Sequence, residues 1–313
     1  MIRLIVRRIL ISVPVVFVVT ALSFGLLQLL PGNAADAILG PQATPQEIAG
    51  LTKSLGLDRP LVDQYWSWLT RLVHGDLGDS LTNSQSVTSL LNQRLSVSIC
   101  LLVGALICAI ILGGVIGVLS AARPGLLSRM LDLLAVGGLA LPAFWLALIL
   151  VLVLSTKAHL LPAIGYVALG VNPGSWARFL IMPWITLGAT MATIIAKQTR
   201  DAMSEALSAP YITSLRANGT PERRLIFKHA LRNAAIPVVT VIGLLFIGAL
   251  STAVITEQIF SLPGLGQEVV IATTDRDIPV IQGIALYMTV IVVIINLLVD
   301  LAYGWLNPKV RTS

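Results

Sequence analysis

Charge is what this chain of 313 residues has least of: 12% of it is Asp, Glu, Lys or Arg, against 56% hydrophobic residues and a mean hydropathy of +0.88. Soluble globular domains carry about a quarter charged residues, so the balance excludes an ordinary soluble fold and places the chain in a membrane. Cysteine is nearly absent too. Cys100 and Cys108 fall inside one apolar run, which excludes a disulfide framework or cysteine metal site and leaves small packing residues. None of the five lysines (53, 157, 197, 228, 309) follows a glycine, so no phosphate-binding Gly-x-x-x-x-Gly-Lys-Ser/Thr exists here. Any nucleotide energy is therefore bound by a partner. Aromatics amount to 6% and do not alternate with basic residues, which excludes a base-stacking platform and hence nucleic acid, despite a pI near 9.7.

Long uncharged runs are what the chain has instead. They cover 9–35, 95–122, 133–156, 158–177, 179–196, 233–256 and 278–299, and about 20 apolar residues suffice to cross a bilayer as a helix. Six are expected to span. The run 158–177 is interrupted by Pro162, Gly165, Asn172, Pro173 and Gly174 and is expected to be an external loop with at most a short interfacial helix. The first run follows Arg3, Arg7 and Arg8 as a signal peptide would, but it is longer than the roughly 7 to 15 residues of a signal core and reads as an uncleaved first helix.

With the N-terminus inside, the inner segments hold 14 Lys and Arg and the outer ones 7, so both termini are expected to be cytoplasmic. Three regions follow: residues 1–30 with the first span, an extracytoplasmic region at 31–94, and a core at 95–313 with the other five spans. In 31–94, Thr44-Pro45-Gln46-Glu47 predicts a capped helix ending near Gly56. Residues 61–74 space Leu61, Tyr65, Trp68 and Leu72 as an amphipathic helix, either a folded cap or a docking surface.

Pro142 is expected to kink the third span, and Gly113 and Gly117 to admit another backbone closely. Asp132, Lys197, Glu257 and Asp300 sit at span ends, where they reach water; only groups such as Asn296 and Thr289 lie deeper. A neutral pathway wall disfavours a proton relay or ion-coupled transporter. After Glu257 and Phe260, the residues Pro263, Gly264 and Gly266 predict a tight re-entrant turn near the pore mouth, an outer gate and docking point.

The most basic stretch, "SLRANGTPERRLIFKHALRNAAIPV", lies between two spans on the inner side. A helix over about 200–218 is expected to turn at Gly219, with Thr220 capping and Pro221 starting the next helix over 221–232. Tyr211, Ile212 and Leu215 are apolar residues expected to be exposed on this elbow. They mark a protein partner or, alternatively, an interfacial loop that holds anionic lipid.

"LGLDRPLVDQYWSWL", "HGDLGDSL", "GLALPAFWLAL", "RANGTPERRLIFKHALRNAAIPVVT", "EQIFSLPGLG", "RDIPVIQG" and "NLLVDLAYGWLNPKVR" together resemble the inner-membrane permease subunits of binding-protein-dependent ABC importers, in particular the first permease of dipeptide, oligopeptide and nickel systems. The resemblance covers almost the whole chain. It implies an all-α, six-span type I importer permease in the bacterial inner membrane, non-catalytic, with ATP and Mg bound by a partner and no cofactor or metal of its own. It implies as partners a second homologous permease, two ATPase subunits, an extracytoplasmic substrate-binding protein and membrane lipid. The basic elbow is similar to the family's EAA coupling loop: Arg216, Ala217 and Gly219 match its subfamily form, and Tyr211, Ile212, Leu215 and Glu222 surround them. The chain departs from the pattern at Thr213-Ser214-Leu215, where Glu-Ala-Ala is general, at Asn218 in place of lysine, and at Asn33-Ala34 after Pro31-Gly32. Dipeptides or short peptides are the implied cargo, with nickel, other metal chelates, glutathione and haem left open.

Overall fold

A computed structural model describes residues 2–27, 34–40, 42–122, 125, 130, 137 and 141–306. Asp132, Asn33, the C-terminal 307–313 and most of 133–140 lie outside the described residues. Within them the chain is helical: α1 (Ile2–Leu27), α2 (Ala34–Leu39), α3 (Pro45–Ser54), α4 (Leu61–Val73), α5 (Val87–Ala122), α6 (Ala143–Leu150), α7 (Pro173–Ser208), α8 (Pro210–Ala217), α9 (Glu222–Arg224), α10 (Leu231–Phe260), α11 (Leu265–Thr274) and α12 (Ile278–Leu306). Five described segments are long and apolar enough to cross a membrane: Val6–Leu27, Val87–Ala122, Pro173–Ser208, Glu222–Phe260 and Ile278–Trp305. Of the expected third span, the described part is the shorter apolar helix Ala143–Lys157, α6 continued by the π-helical turns Val151–Lys157.

Local signals account for most helix ends. Thr44 Oγ1 accepts from the Glu47 amide at 3.4 Å while a Glu47 carboxylate oxygen accepts from the Thr44 amide at 2.8 Å, so both orphan donors at the start of α3 are satisfied as expected. Gly56 then takes φ +68°. The run 158–177 leaves helical geometry only as far as Asn172, whose side chain accepts from the Ser175 amide at 2.9 Å and caps α7 with Pro173 in its first turn. The fourth spanning helix thus begins six residues earlier than the uncharged run at 179 indicates. Pro142 does not kink a helix interior. With ψ 138° it is the N-cap of α6, because a proline ring fits the entry of a helix and not its middle.

The chain divides into two compact units, Ile99–Leu262 with Ile295–Ser313, and Ile2–Ser98 with Pro263–Ile294. In the first, α5 and α7 approach backbone to backbone. A Cβ on Gly113 would sit 2.5 Å from the Ala192 carbonyl oxygen, and one on Gly117 2.6 Å from that of Ala196, which is the close crossing the Gly-x-x-x-Gly spacing predicts. Trp184 packs over Gly104 and donates its indole N–H to the Cys100 carbonyl at 3.0 Å. In the second unit, Gly283 of α12 lies against Leu91 and Val87 of α5. Polar contacts pin the connections there: Arg94 pairs with the buried Glu268 at 2.9 Å, the Ser98 hydroxyl accepts from the Leu265 amide at 2.8 Å, and Tyr287 donates to Asn92 at 2.7 Å.

Candidate functional site

The elbow between α7 and α10 is built from a sequence of stops and starts. α7 ends at Ser208 because Ala209 precedes a proline, whose ring disfavours the helical region for the residue before it; Ala209 sits at ψ 142° and Pro210 opens α8. The expected single helix over 200–218 is therefore broken at 209. At its far end α8 closes on Gly219, which takes φ +77° as expected. The Gly219 amide donates to the Arg216 carbonyl at 3.0 Å and the Thr220 amide to the Leu215 carbonyl at 3.1 Å, the paired bonds of a Schellman closure. Pro221, not Thr220, caps the next helix: the Thr220 side chain makes no capping bond, and Pro221 is the extended residue before Glu222. From Glu222 the chain runs through the π-helical Leu225–Ala230 into α10, so elbow and spanning helix are one continuous rod.

Two side-chain contacts brace the turn. Arg216 donates Nη2 to one Glu222 carboxylate oxygen at 2.7 Å and Nε to the other at 3.1 Å, a bidentate fork across Gly219. The Asn233 amide donates to the Tyr211 hydroxyl at 2.6 Å, tying α8 to α10. Burial corrects one expectation. Ile212 is not exposed; it is fully buried where α8 packs on α7 and on the Leu225–Ala230 turns. Leu215 is half-buried, while Tyr211, Arg216, Ala217 and Gly219 remain exposed. The elbow thus uses Ile212 as its own anchor, above a core of Ala202, Met203, Ala230 and Ala234. It presents a mixed polar and apolar face on the other side. Sequence reasoning missed Pro210, Asn233 and the Arg216–Glu222 fork; the Ala209-Pro210 step was a readable signal, whereas the two side-chain pairs depend on the turn geometry.

At the other end of α10, Glu257 is buried and does not reach water from its span end. The expected turn is present: Ser261 adopts the left-handed conformation at φ 51°, and the Leu262 amide donates to the Glu257 carbonyl at 2.9 Å. Phe260 is buried, and the Gly165 amide donates to its carbonyl at 3.0 Å. Pro263 leads to Gly264, the N-cap of α11, while Gly266 lies inside that helix rather than in the turn. In the second unit, the connection from α11 to α12 buries Asp277, whose carboxylate accepts from the Ser80 hydroxyl at 2.5 Å and the Thr82 hydroxyl at 3.1 Å. Segments 80–82 and 275–280 are thereby joined, a contact with no sequence signal because its partners are nearly two hundred residues apart.

Away from these ends, an apolar groove of about 460 Å³ opens beside Gly114, Val118, Thr199, Leu231 and Val238, and no ionisable side chain lines it. Asn296 is exposed on α12 between the exposed Ile294 and Leu298. Among the described residues no cluster of His, Cys, Asp and Glu could hold a metal ion.

Comparison with known proteins bears on all of this. Residues 113–312 match the sequence profile described as the binding-protein-dependent transport system inner membrane component, and residues 1–102 match the N-terminal profile of the same transport-system membrane components. A protein of Brucella abortus (strain 2308), named as a peptide transport system permease protein, is 38% identical over 312 residues, covering 99% of both chains. The glutathione transport system permease protein GsiC of Escherichia coli (strain K12) is 36% identical with the same coverage. Among solved structures, a chain of the MetNI methionine ABC transporter in inward facing conformations superposes with a TM-score of 0.54 at 18% identity, over 70% of this chain and 96% of that one.

Proposed function

The chain belongs to the family of binding-protein-dependent transport system inner membrane components, and from that premise we propose that it forms half of the pathway by which short peptides are imported at the expense of ATP. It is a multi-pass permease subunit of an ABC importer in the bacterial inner membrane, and it performs no catalysis itself. Such a permease works with ATPase and permease subunits and a substrate-binding protein. Our reading of the assembly is one homologous permease, two ATPases that bind ATP and Mg, and an extracytoplasmic binding protein. The chain in this reading has six spans, with both termini cytoplasmic.

The observation that carries the reading is the elbow: a short helix anchored inward by Ile212, closed at a left-handed Gly219 and continuous through Glu222 with a spanning helix. A rigid rod that begins at a docking face converts movement of a cytoplasmic partner into movement of the bundle, and few other arrangements do so without a hinge between them. Tyr211, Leu215, Arg216, Ala217, Gly219 and Glu222 are the contact residues of that reading, with Ile212 supporting them from beneath. Glu257, Phe260, Pro263, Gly264 and Gly266 are assigned to the outer gate, where the binding protein docks, and Pro142 and Asn296 to the pathway side.

Peptide cargo is favoured by the names of both relatives, since glutathione is itself a tripeptide. Nickel and other metal chelates or haem are the alternatives. Radiolabelled di- and tripeptide uptake in cells lacking this chain, with and without its restored gene, decides among them. Restored peptide uptake, competed by unlabelled peptide and not by nickel, supports the assignment. Restored nickel or haem uptake alone overturns it.

A further inference from the structure

Helix α4 has an apolar flank that nothing in the chain covers. Val62, Trp66, Leu69 and Val73 recur at spacings of four, three and four, which aligns them on one face. Val62 is 76%, Trp66 61% and Val73 80% exposed, whereas Trp68 on the neighbouring flank is 4% exposed. Asp63, Ser67, Thr70 and His74 occupy the opposite face and are exposed as well. Three faces result: one packed, one bare and apolar, one polar.

The packed face fixes where the bare one lies. Tyr65 sits among Phe17, Phe24 and Trp68 at ring separations of 5.9, 5.6 and 5.9 Å. Its hydroxyl donates to the Phe17 carbonyl at 3.3 Å and lies 3.0 Å from the Thr20 hydroxyl. Phe17 and Thr20 are in the middle of the span Val6–Leu27. At about 1.5 Å per residue, Phe17 lies about 15 Å from the Leu27 end, half of a hydrocarbon layer of about 30 Å. A helix clamped at that point stands beside hydrocarbon, not above the headgroups. Its 13 residues are too few to cross upright. Only 11% of the apolar α1 segment is buried, against 61% for α7, and α1 displays Val18, Val19, Leu22 and Leu26 outward. The bare flank of α4 continues that lipid-facing surface.

We propose that α4 is a membrane-embedded interfacial helix whose Val62, Trp66, Leu69 and Val73 stripe is covered by phospholipid acyl chains, with Asp63, Ser67, Thr70 and His74 turned to the headgroups. Trp66 is placed where amphipathic indole rings favour the bilayer boundary. The helix thereby fixes the depth of the chain segment around it, independently of what the importer carries.

The test uses the full chain in its assembled importer, reconstituted in vesicles of phosphatidylethanolamine and phosphatidylglycerol, with Cys100→Ala and Cys108→Ala as background. Nitroxide labels at Val62→Cys, Trp66→Cys and Val73→Cys are compared with a label at Ser67→Cys for collisions with oxygen, which concentrates in hydrocarbon, and with a nickel chelate, which stays in water. Oxygen collisions exceeding chelate collisions at 62, 66 and 73, with the order reversed at 67, is the expected result. Chelate access equal to that of position 67 overturns the proposal in favour of a water-exposed helix. Low access to both reagents at 66 and 73 overturns it in favour of a protein partner. Because three stripe positions are read separately, a single misfolded variant does not decide the outcome.

Discussion

Arg216 and Glu222 hold each other by two hydrogen bonds, at 2.7 and 3.1 Å, directly across the left-handed Gly219. The pair is exposed, so solvent and salt screen it and its contribution to stability is small. Its role lies in fixing the angle at which α8 leaves the rod that follows.

Reversing one charge should therefore perturb coupling more than folding. Arg216→Glu is expected to leave the yield and melting temperature of the purified permease complex unchanged while lowering peptide-stimulated ATP hydrolysis. The double variant Arg216→Glu with Glu222→Arg should recover part of that stimulation. A lowered melting temperature in the single variant would instead make the fork a folding element.

Packing of α5 on α7 should be far less tolerant. Methyl groups added by Gly113→Ala and Gly117→Ala would meet the carbonyls of Ala192 and Ala196 at distances that real side chains do not adopt. Overpacking of this kind costs about 1–3 kcal/mol at each site. Thermal unfolding of the detergent-solubilised protein, followed by size-exclusion chromatography, is expected to shift downward for each variant and further for both. Gly114→Ala, where a Cβ meets nothing within 4 Å, is the matched control.

Spans and caps were legible because they depend on neighbours in sequence: the Thr44–Glu47 box, the Gly113–Gly117 spacing and the turn at Gly219 all follow from local pattern. Ile212 was misread because three apolar residues on a short helix do not reveal which one points inward; that depends on how α8 lies on α7 and the Leu225–Ala230 turns. Pro142 was misread because a proline flanked by apolar residues looks the same inside a helix as at its start, and only its ψ of 138° separates the two. The carboxylate of Asp277 finds Ser80 through the fold alone.

That last contact yields another expectation. A buried carboxylate stripped of its hydroxyl donors loses bonds that contribute about 1.5–3 kcal/mol each when one partner is charged. Ser80→Ala combined with Thr82→Val should loosen 76–86 locally, seen as faster amide hydrogen exchange there with the spanning helices unaffected. Asp277→Asn, which retains an acceptor oxygen, should loosen it less.

Sidedness can be read chemically, motivated by the 14 to 7 division of Lys and Arg. Asn83 and Thr220 both lie in non-helical segments outside the spanning runs. In intact cells, a cysteine at Asn83 is expected to react with a membrane-impermeant maleimide and one at Thr220 only after permeabilisation. The opposite pattern would invert the topology.

Coupling through the elbow is tested most directly by the purified complex carrying Gly219→Val or Leu215→Asp. A β-branched residue at φ +77° stores about 1–3 kcal/mol of strain and redirects α8, and a carboxylate at the half-buried Leu215 places charge in the docking face. The spans should still insert, since neither position lies within an uncharged run. The measurement is co-purification of the ATPase subunits together with hydrolysis stimulated by peptide-loaded binding protein. Coupling at this site is expected to lower both for Leu215→Asp, and to abolish stimulation for Gly219→Val even where ATPase is retained. Full assembly and full stimulation in both variants would contradict it and leave the elbow a basic loop at the lipid surface.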